Sequence, residues 1–364
     1  MAREPRIMLL LTEACNLNCV YCYEHNKKPL EMSFQTAKSI LDSELNNASP
    51  EKAVVIELFG GEAFINFSLM VQIDEYLAAS YSNLEIRYET TTNGTFVHGD
   101  IQKWLYERRK RFSISLSLDG TPSMHDKNRV FFNGIGTYNA IDVDFFINTW
   151  PGCTAKMTLS EETLPDLARG VEYIENLGFK CDATLSIGRK WIYEEATFIL
   201  IRELSKLVDY YISRPSHKLC TMLDFDLRQV FTPFDEDYRF CGAGVDMQCF
   251  DTCGNAYPCQ GFAPISIGEK AITYHNFDET QFKFTDANVC KHCQWVRLCP
   301  NCYAANLQST NDIQQVDTGL CGFYKLCILA SSKIQCVRLH AKLKHTHDDL
   351  LILKAISHIQ ANIR

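Results

Sequence analysis

Short apolar runs rich in β-branched residues alternate with longer stretches of helical period from Arg6 to about Tyr211. The strand candidates are Ile7–Leu11, Ala53–Phe59, Leu84–Thr91, Phe112–Leu118, Thr154–Leu159 and Phe179–Ser186. Between them, Ser33–Leu45, Asn66–Ala79, Asp100–Glu107, Tyr138–Asn148 and Leu164–Leu177 carry the apolar stripe of an amphipathic helix. Six β/α units in succession predict parallel strands joined by right-handed crossovers. That count suits an open six-stranded barrel better than a closed one of eight, with an open doubly wound sheet as the alternative. From about Ser213 the alternation stops. Residues 235–325 are rich in Cys, Gly, Asp and aromatic residues, with short strands at best, so this stretch is expected to need metal to fold. After Cys321 the pattern turns helical and ends in Asp348–Ile363, where Leu350, Leu351, Leu353, Ile356 and Ile359 read as a packing face. The expected division is a barrel over 1–228, a cysteine-rich domain over 229–330 and a helical tail over 331–364.

Composition narrows the function. A formal charge of −8 leaves no basic footprint for nucleic acid, and the densest cationic run, Arg108–Arg111, reads as a solvated helix end. No stretch approaches the ~20 apolar residues of a membrane span, and Ile7–Leu11 is shorter than the apolar core of a secretory signal. Cysteine is the anomaly. Seventeen thiols cannot all pair within the chain, and without an export signal they point to metal or cluster ligation in a reducing cytoplasm.

The unusual residues gather at the carboxyl ends of the first four strands, the face where parallel barrels build active sites. Cys15, Cys19 and Cys22 (C-x3-C-x2-C) follow strand one, and Gly60-Gly61-Glu62 follows strand two. Thr92-Asn93-Gly94 follows strand three, and Ser117-Leu118-Asp119-Gly120 closes strand four. Three thiolates on one short loop leave one iron of a 4Fe–4S cube open to a ligand. A Cys3His zinc site using His25 is the alternative reading of that spacing. Taken one at a time, Gly-Gly and Asn-Gly mark turns, Tyr21 fills space, and Asp126 with Arg129 makes a surface pair. Cys153 and Cys181 fall at the amino ends of strands five and six and read as packed thiols.

Together these motifs resemble the radical S-adenosylmethionine (radical SAM) enzymes. The resemblance implies that the open iron chelates the methionine end of S-adenosylmethionine and that an electron splits the cofactor to a 5′-deoxyadenosyl radical. It implies cofactor contacts from Tyr21, Gly60, Gly61, Glu62, Asn93, Ser117 and Asp119, with His125, Asp126 and Arg129 in a family-like run. Here Ala63 stands where the family has proline.

A second array, Cys241-x12-Gly254-x4-Cys259, Cys290-x2-Cys293-x5-Cys299-x2-Cys302 and Cys321, resembles the SPASM extension of that family, which carries two auxiliary 4Fe–4S clusters. The resemblance implies one cluster on Cys241, Cys259 and Cys302 with either Cys249 or Cys253, and another on Cys290, Cys293, Cys299 and Cys321. The Cys299–Cys302 gap is one residue shorter than in the family, and paired C-x2-C units also describe zinc ribbons. Cys220, Cys327 and Cys336 lie outside the pattern and read as buried, inert thiols.

By the same resemblance the chain is an oxidoreductase that matures a ribosomally made precursor peptide, forming a thioether or carbon–carbon cross-link. It draws electrons from a flavodoxin or ferredoxin. With six residues before strand one, an amino-terminal peptide-binding domain is not expected, which implies a separate recognition protein or direct binding of a short peptide. A sulfatase maturase that makes formylglycine is the nearest rival, but that group has an Asp base after the cysteine matching Cys259, where this chain has Gln260. The third reading is a non-enzymatic zinc or iron–sulfur scaffold or redox sensor.

Overall fold

The structure, a computed structural model, describes residues 4–46, 48–188, 191–235, 238, 240–278, 282–286 and 288–362. The expected β/α alternation is realised in full. It runs β1 (Arg6–Thr12), α1 (Phe34–Leu45), β2 (Val54–Gly60), α2 (Phe67–Ser80), β3 (Ile86–Thr92), α3 (Asp100–Arg108) and β4 (Phe112–Ser117). It continues through α4 (Pro122–Asn128), α5 (Val143–Thr149), β5 (Thr154–Leu159), α6 (Leu167–Asn176), β6 (Lys180–Leu185) and α7 (Tyr193–Ile212). The later segment adds β7 (Met247–Phe250), β8 (Ala256–Tyr257), α8 (Pro264–Ile267), α9 (Tyr303–Thr310), α10 (Thr318–His340) and α11 (His347–Ala361). This is the expected α/β arrangement, parallel strands alternating with helices, followed by a cysteine-rich segment.

Two compact units divide the chain, one of Met1–Met157, Ile174–Lys180 and Gly242–Gln281, the other of Thr158–Tyr173, Cys181–Cys241 and Phe282–Arg364. In the first, the strands run side by side in the order β5-β4-β3-β2-β1-β7-β8. All neighbours are parallel except the short β7–β8 pair. β7 comes from the cysteine-rich segment, yet it continues the sheet beside β1, pairing Cys249 with Met8. Its four residues carry too little pattern to be legible as a sheet strand.

Strand faces follow from residue type. β1 is apolar from Ile7 to Leu11 and buried there on both sides, as a central parallel strand must be. β3, β4 and β5 instead alternate, with Tyr88, Ile114, Leu116, Ala155 and Met157 buried. Their intervening residues, Glu89, Thr91, Ser113, Ser115 and Lys156, remain accessible.

Helix ends match local chemistry. Ser33 caps α1 by accepting from Thr36 N at 3.0 Å, and Thr346 with Asp349 forms a capping box on α11. The expected helix over Tyr138–Asn148 is broken, because Asp142 caps a new start at Val143 by accepting from Phe145 N at 3.1 Å. The cationic run is no mere solvated end. Arg108 Nε and Arg111 Nη2 both donate to the buried Asp74 carboxylate, at 2.6 and 2.8 Å, and Arg108 lies over Trp104.

In the second unit Leu227, Trp295, Leu298, Ile328, Ala355, Ile356 and Ile359 form one core, against which Ile352 packs. Leu350, expected on that face, is exposed, and Ile363 lies outside the described residues. α10 begins at Thr318, ahead of the expected start. By length and composition it is the one described helix able to cross a membrane; it packs along α7 and is partly buried.

Replacing Asp74 by Ala strands two guanidinium groups on the helix side of the sheet, one of them mostly buried. The expected loss is about 1–3 kcal/mol, read as a lower urea midpoint with an unchanged m-value; an unaltered midpoint contradicts the role given to Asp74.

Candidate active site

The cysteine loop begins where β1 ends. Its base is pinned by Glu13 N to Leu30 O at 2.9 Å, Met32 N to Leu11 O at 2.9 Å and Thr12 Oγ1 to Leu30 O at 3.0 Å. Gly61 N donates to Thr12 O at 3.1 Å and Glu62 N to Ala14 O at 2.9 Å, so the end of β2 lies directly on the loop's backbone. A Cβ on Gly60 would stand 2.5 Å from Thr12 O, and one on Gly61 2.5 Å from Ala14 O. Both positions therefore require glycine on steric grounds alone. On the other side, Asn18 N bonds Val130 O at 2.8 Å and Val20 N bonds Asn128 O at 2.9 Å.

The three thiols are free and close enough to interact, Cys15 with Cys19 and Cys19 with Cys22. Burial pushes the Cys15 thiol up to about 12 and raises Cys19, whose thiolate Arg129 favours in opposition. Such thiols ionise only against added positive charge, and iron is a natural source of it. The surroundings already accept charged sulfur: Leu17 N donates to Cys15 Sγ at 3.4 Å and Lys27 Nζ to Cys22 Sγ at 2.9 Å. The loop fits a cluster. Among the described residues no three of His, Cys, Asp and Glu converge on a single metal ion.

Glu62 is buried at the junction of β2 and β3. Its Oε1 accepts from Thr92 Oγ1 at 2.8 Å and Phe64 N at 3.2 Å, and its Oε2 from Asn93 N at 2.8 Å. Burial raises its pKa while these donors oppose the rise. A carboxylate accepts about four hydrogen bonds, so one acceptor position remains for a ligand cation. Asn93 also ties β3 to the cysteine loop, its Nδ2 donating to Asn16 Oδ1 at 2.9 Å.

Asp119 anchors a buried network that sequence reasoning did not assemble. Tyr21 OH donates to its Oδ2 at 2.6 Å, Asn128 Nδ2 to the same oxygen at 3.2 Å, and Arg129 pairs through Nε at 3.1 Å. Arg129 thus faces Asp119 and not Asp126, which instead accepts from Tyr138 N at 2.8 Å. His125 is buried and its pKa falls to about 3, so it is neutral, accepting from Asp119 N at its Nδ1. Ser117 lies on the same strand end, buried beneath Asp119. Only the spacing of HDKNR signalled these partners.

Two further residues went unread. Burial raises the Glu24 carboxyl to about 7, against the opposing influence of Lys27 and of the neighbouring Tyr23 hydroxyl. Gln260 follows Cys259 and belongs to a segment that Asn26 clasps, through Nδ2 to Ser266 O at 3.1 Å.

The second cysteine array falls into groups. In the first unit Cys249 is wholly buried and interacts with Cys259, while Cys253 is exposed at the β7–β8 turn. In the second unit Cys241 interacts with Cys302, the N-cap of α9, whose Sγ accepts from Ala305 N at 3.4 Å. Also in that unit, Cys290, Cys293, Cys299 and Cys321 interact mutually, with burial pushing Cys290 up to about 12 and raising Cys299. The short Pro300-Asn301 link thus separates Cys302 from the four-thiol set. Cys220 and Cys327 are buried as expected; Cys336 is not, and its Sγ lies 3.6 Å from His340 Nδ1.

A family model for a 4Fe–4S single cluster domain matches residues 5–129. An uncharacterised protein of Methanocaldococcus jannaschii is 30% identical over 236 residues, 61% of this chain and 79% of that protein. A cysteine-type anaerobic sulfatase-maturating enzyme of Clostridium perfringens is 22% identical over 331 residues, 81% of this chain and 88% of the enzyme. The solved structure of native anSMEcpe with bound AdoMet and Cp18Cys peptide superposes with a TM-score of 0.72 at 20% identity, covering 93% of this chain and 100% of that one.

Gly61→Ala forces the loop from β2, with an expected cost of about 1–3 kcal/mol and reduced iron uptake on anaerobic reconstitution. Gly134→Ala, in open space, costs only backbone strain, about 1–2 kcal/mol, and keeps its iron. Equal iron content in the two variants argues against the steric account.

Proposed function

We propose that this chain, which belongs to the radical SAM family, is an enzyme that oxidises a side chain of a peptide or protein, with Cys15, Cys19 and Cys22 holding the catalytic 4Fe–4S cluster. When bound, the cluster and S-adenosylmethionine supply the electron and the hydrogen-abstracting radical. The observation that carries this reading is the assembly of three free thiols, Glu62, Asn93 and Asp119 into one bonded shell at the ends of four parallel strands. Glu62 offers its remaining acceptor position to an ammonium group. Asp119, fixed by Tyr21 and Arg129, and Ser117 offer acceptors to a ribose or amino-acid moiety. Lys27 and Arg129 balance charge at the thiolates.

The set Cys290, Cys293, Cys299 and Cys321 supports an auxiliary cluster, and burial of Cys249 beside Cys259 favours Cys249 over Cys253 as a ligand. With a second auxiliary cluster, iron analysis of reconstituted protein is expected to give about twelve irons per chain, or three cubes; zinc in the carboxyl-terminal cysteines refutes that count.

Gln260 bears on the choice between the finer readings. Its amide takes no proton at neutral pH, which favours thioether or carbon–carbon cross-linking of a ribosomal peptide, with a flavodoxin or ferredoxin as reductant. The second reading, formylglycine formation, is supported by the end-to-end similarity to the sulfatase-maturating enzyme. Mass spectrometry of a co-expressed peptide separates them: a cross-link removes a hydrogen pair and leaves nothing that reacts with hydrazide, whereas formylglycine is hydrazide-reactive.

Anaerobic protein with dithionite and S-adenosylmethionine is expected to release 5′-deoxyadenosine, and the variant with Cys15, Cys19 and Cys22 all changed to Ala is expected to release none. Persistent release by that variant would falsify the assignment of the loop.

A further inference from the structure

Parallel sheets are normally covered on both faces and read as continuous apolar runs. β3, β4 and β5 break that rule: Glu89, Thr91, Ser113, Ser115 and Lys156 form an accessible polar face. Register aligns this face in rows, Glu57 beside Glu89 beside Ser113, then Thr91 beside Ser115, then Ser117 beside Lys156. In the lower row every charge is paired, since Arg6 Nη1 meets both Glu57 at 2.8 Å and Glu89 at 2.6 Å, one cation against two carboxylates. The upper row has no such pair. Lys156 is exposed, and among the described residues it is the one cation of this face whose side chain has neither an ion pair nor a hydrogen bond.

Its position is informative. Ser117, the last residue of β4, is the register partner of Lys156, the third residue of β5, and Leu118 N bonds Lys156 O at 2.9 Å, so the Lys156 backbone is fixed. It lies four strands from β1, about 19 Å along the sheet at ~4.8 Å per strand. The cysteine loop follows β1, and the free ammonium stands on β5, beside the β4 residue Ser117.

We propose that Lys156 is a specificity residue that binds a carboxylate of the peptide substrate, an Asp or Glu side chain or the carboxyl terminus. This rests on the peptide-oxidising reading above. An ammonium carried by a fixed strand on an accessible polar face attracts a carboxylate as a point charge. It holds the peptide at β5 while the bond to be oxidised lies toward β1.

The test uses reconstituted enzyme with S-adenosylmethionine and fluorescein-labelled Gly-Ser decapeptides. These carry one central Asp, Asn or Lys, or an Asn with a free or amidated carboxyl terminus. Fluorescence anisotropy is expected to show the Asp peptide, or the free-carboxyl peptide, binding about fivefold tighter than its neutral partner, the size of one exposed charge pair. Which of the two shows the preference identifies the source of the carboxylate. K156M is expected to abolish the preference and K156R to restore it. Three results overturn the proposal: no preference in the wild type, a preference that survives in K156M, or a tenfold loss of S-adenosylmethionine affinity in K156M by equilibrium dialysis. The last assigns the cation to the cofactor. Release of 5′-deoxyadenosine by the same wild-type preparation shows whether the underlying reading stands when the charge preference fails.

Discussion

Everything at this site depends on one backbone contact: the end of β2 lying against the first residues of the cysteine loop with no side chain between them. Two amide groups of that strand end donate to Thr12 and Ala14 carbonyls, and the space beside Gly60 and Gly61 is filled by main-chain oxygen. Loops that carry thiolates need rigidity, because a cluster tolerates little variation in where its ligands stand. Here the rigidity is supplied by peptide groups, whose positions are set by the sheet. Glu62 then follows of necessity. A strand that ends on the loop delivers its next side chain into the space between loop and β3, where Thr92 and Asn93 engage it.

The site's electrostatics follow from burial. Thiols, carboxyls and a guanidinium are brought into a poorly solvated space, and each would be costly alone. The structure answers with pairing. Asp119 meets Arg129 and Tyr21, Cys22 meets Lys27, and His125 stays neutral by accepting a peptide N–H. The unanswered charge is that of the cysteines once ionised, which is the charge a cluster's iron neutralises. The second unit repeats this at Cys290, Cys293, Cys299 and Cys321, where burial raises the Cys290, Cys299 and Cys321 thiols and Lys325 opposes the rise at Cys299 and Cys321.

What the sequence revealed, and what it hid, divides along the range of the interactions. All six β/α strands were legible within two residues at either end, since each depends on its own run of apolar side chains. Ser33, placed by the helical period as the first residue of a helix, stands one position outside it as the cap. The break at Asp142 was missed because its capping geometry competes with a helical period that continues through it. Pairings across distant segments left weaker signals: Asp74 with Arg108 and Arg111, Asp119 with Arg129, and β7 beside β1. Spacing brought the correct residues to notice at HDKNR but suggested the wrong partner, because Asp126 is nearer in sequence and Asp119 nearer in space. The four-thiol set was legible only as a list of spacings; that Cys302 stands apart from it follows from its place at the head of α9.

The accessible polar face of β3–β5 bears on what the barrel is for. A sheet designed only for stability would bury both faces of its parallel strands, as β1 does. Alternation costs apolar burial on three strands, and the residues bought into view are small hydroxyls and a few charges, not large polar groups. Hydroxyls can donate or accept and demand no fixed counter-charge, so such a surface tolerates varied backbone and side-chain groups. Fixed charges at its margins select orientation instead. A face of that kind suits a polypeptide segment better than a single rigid metabolite.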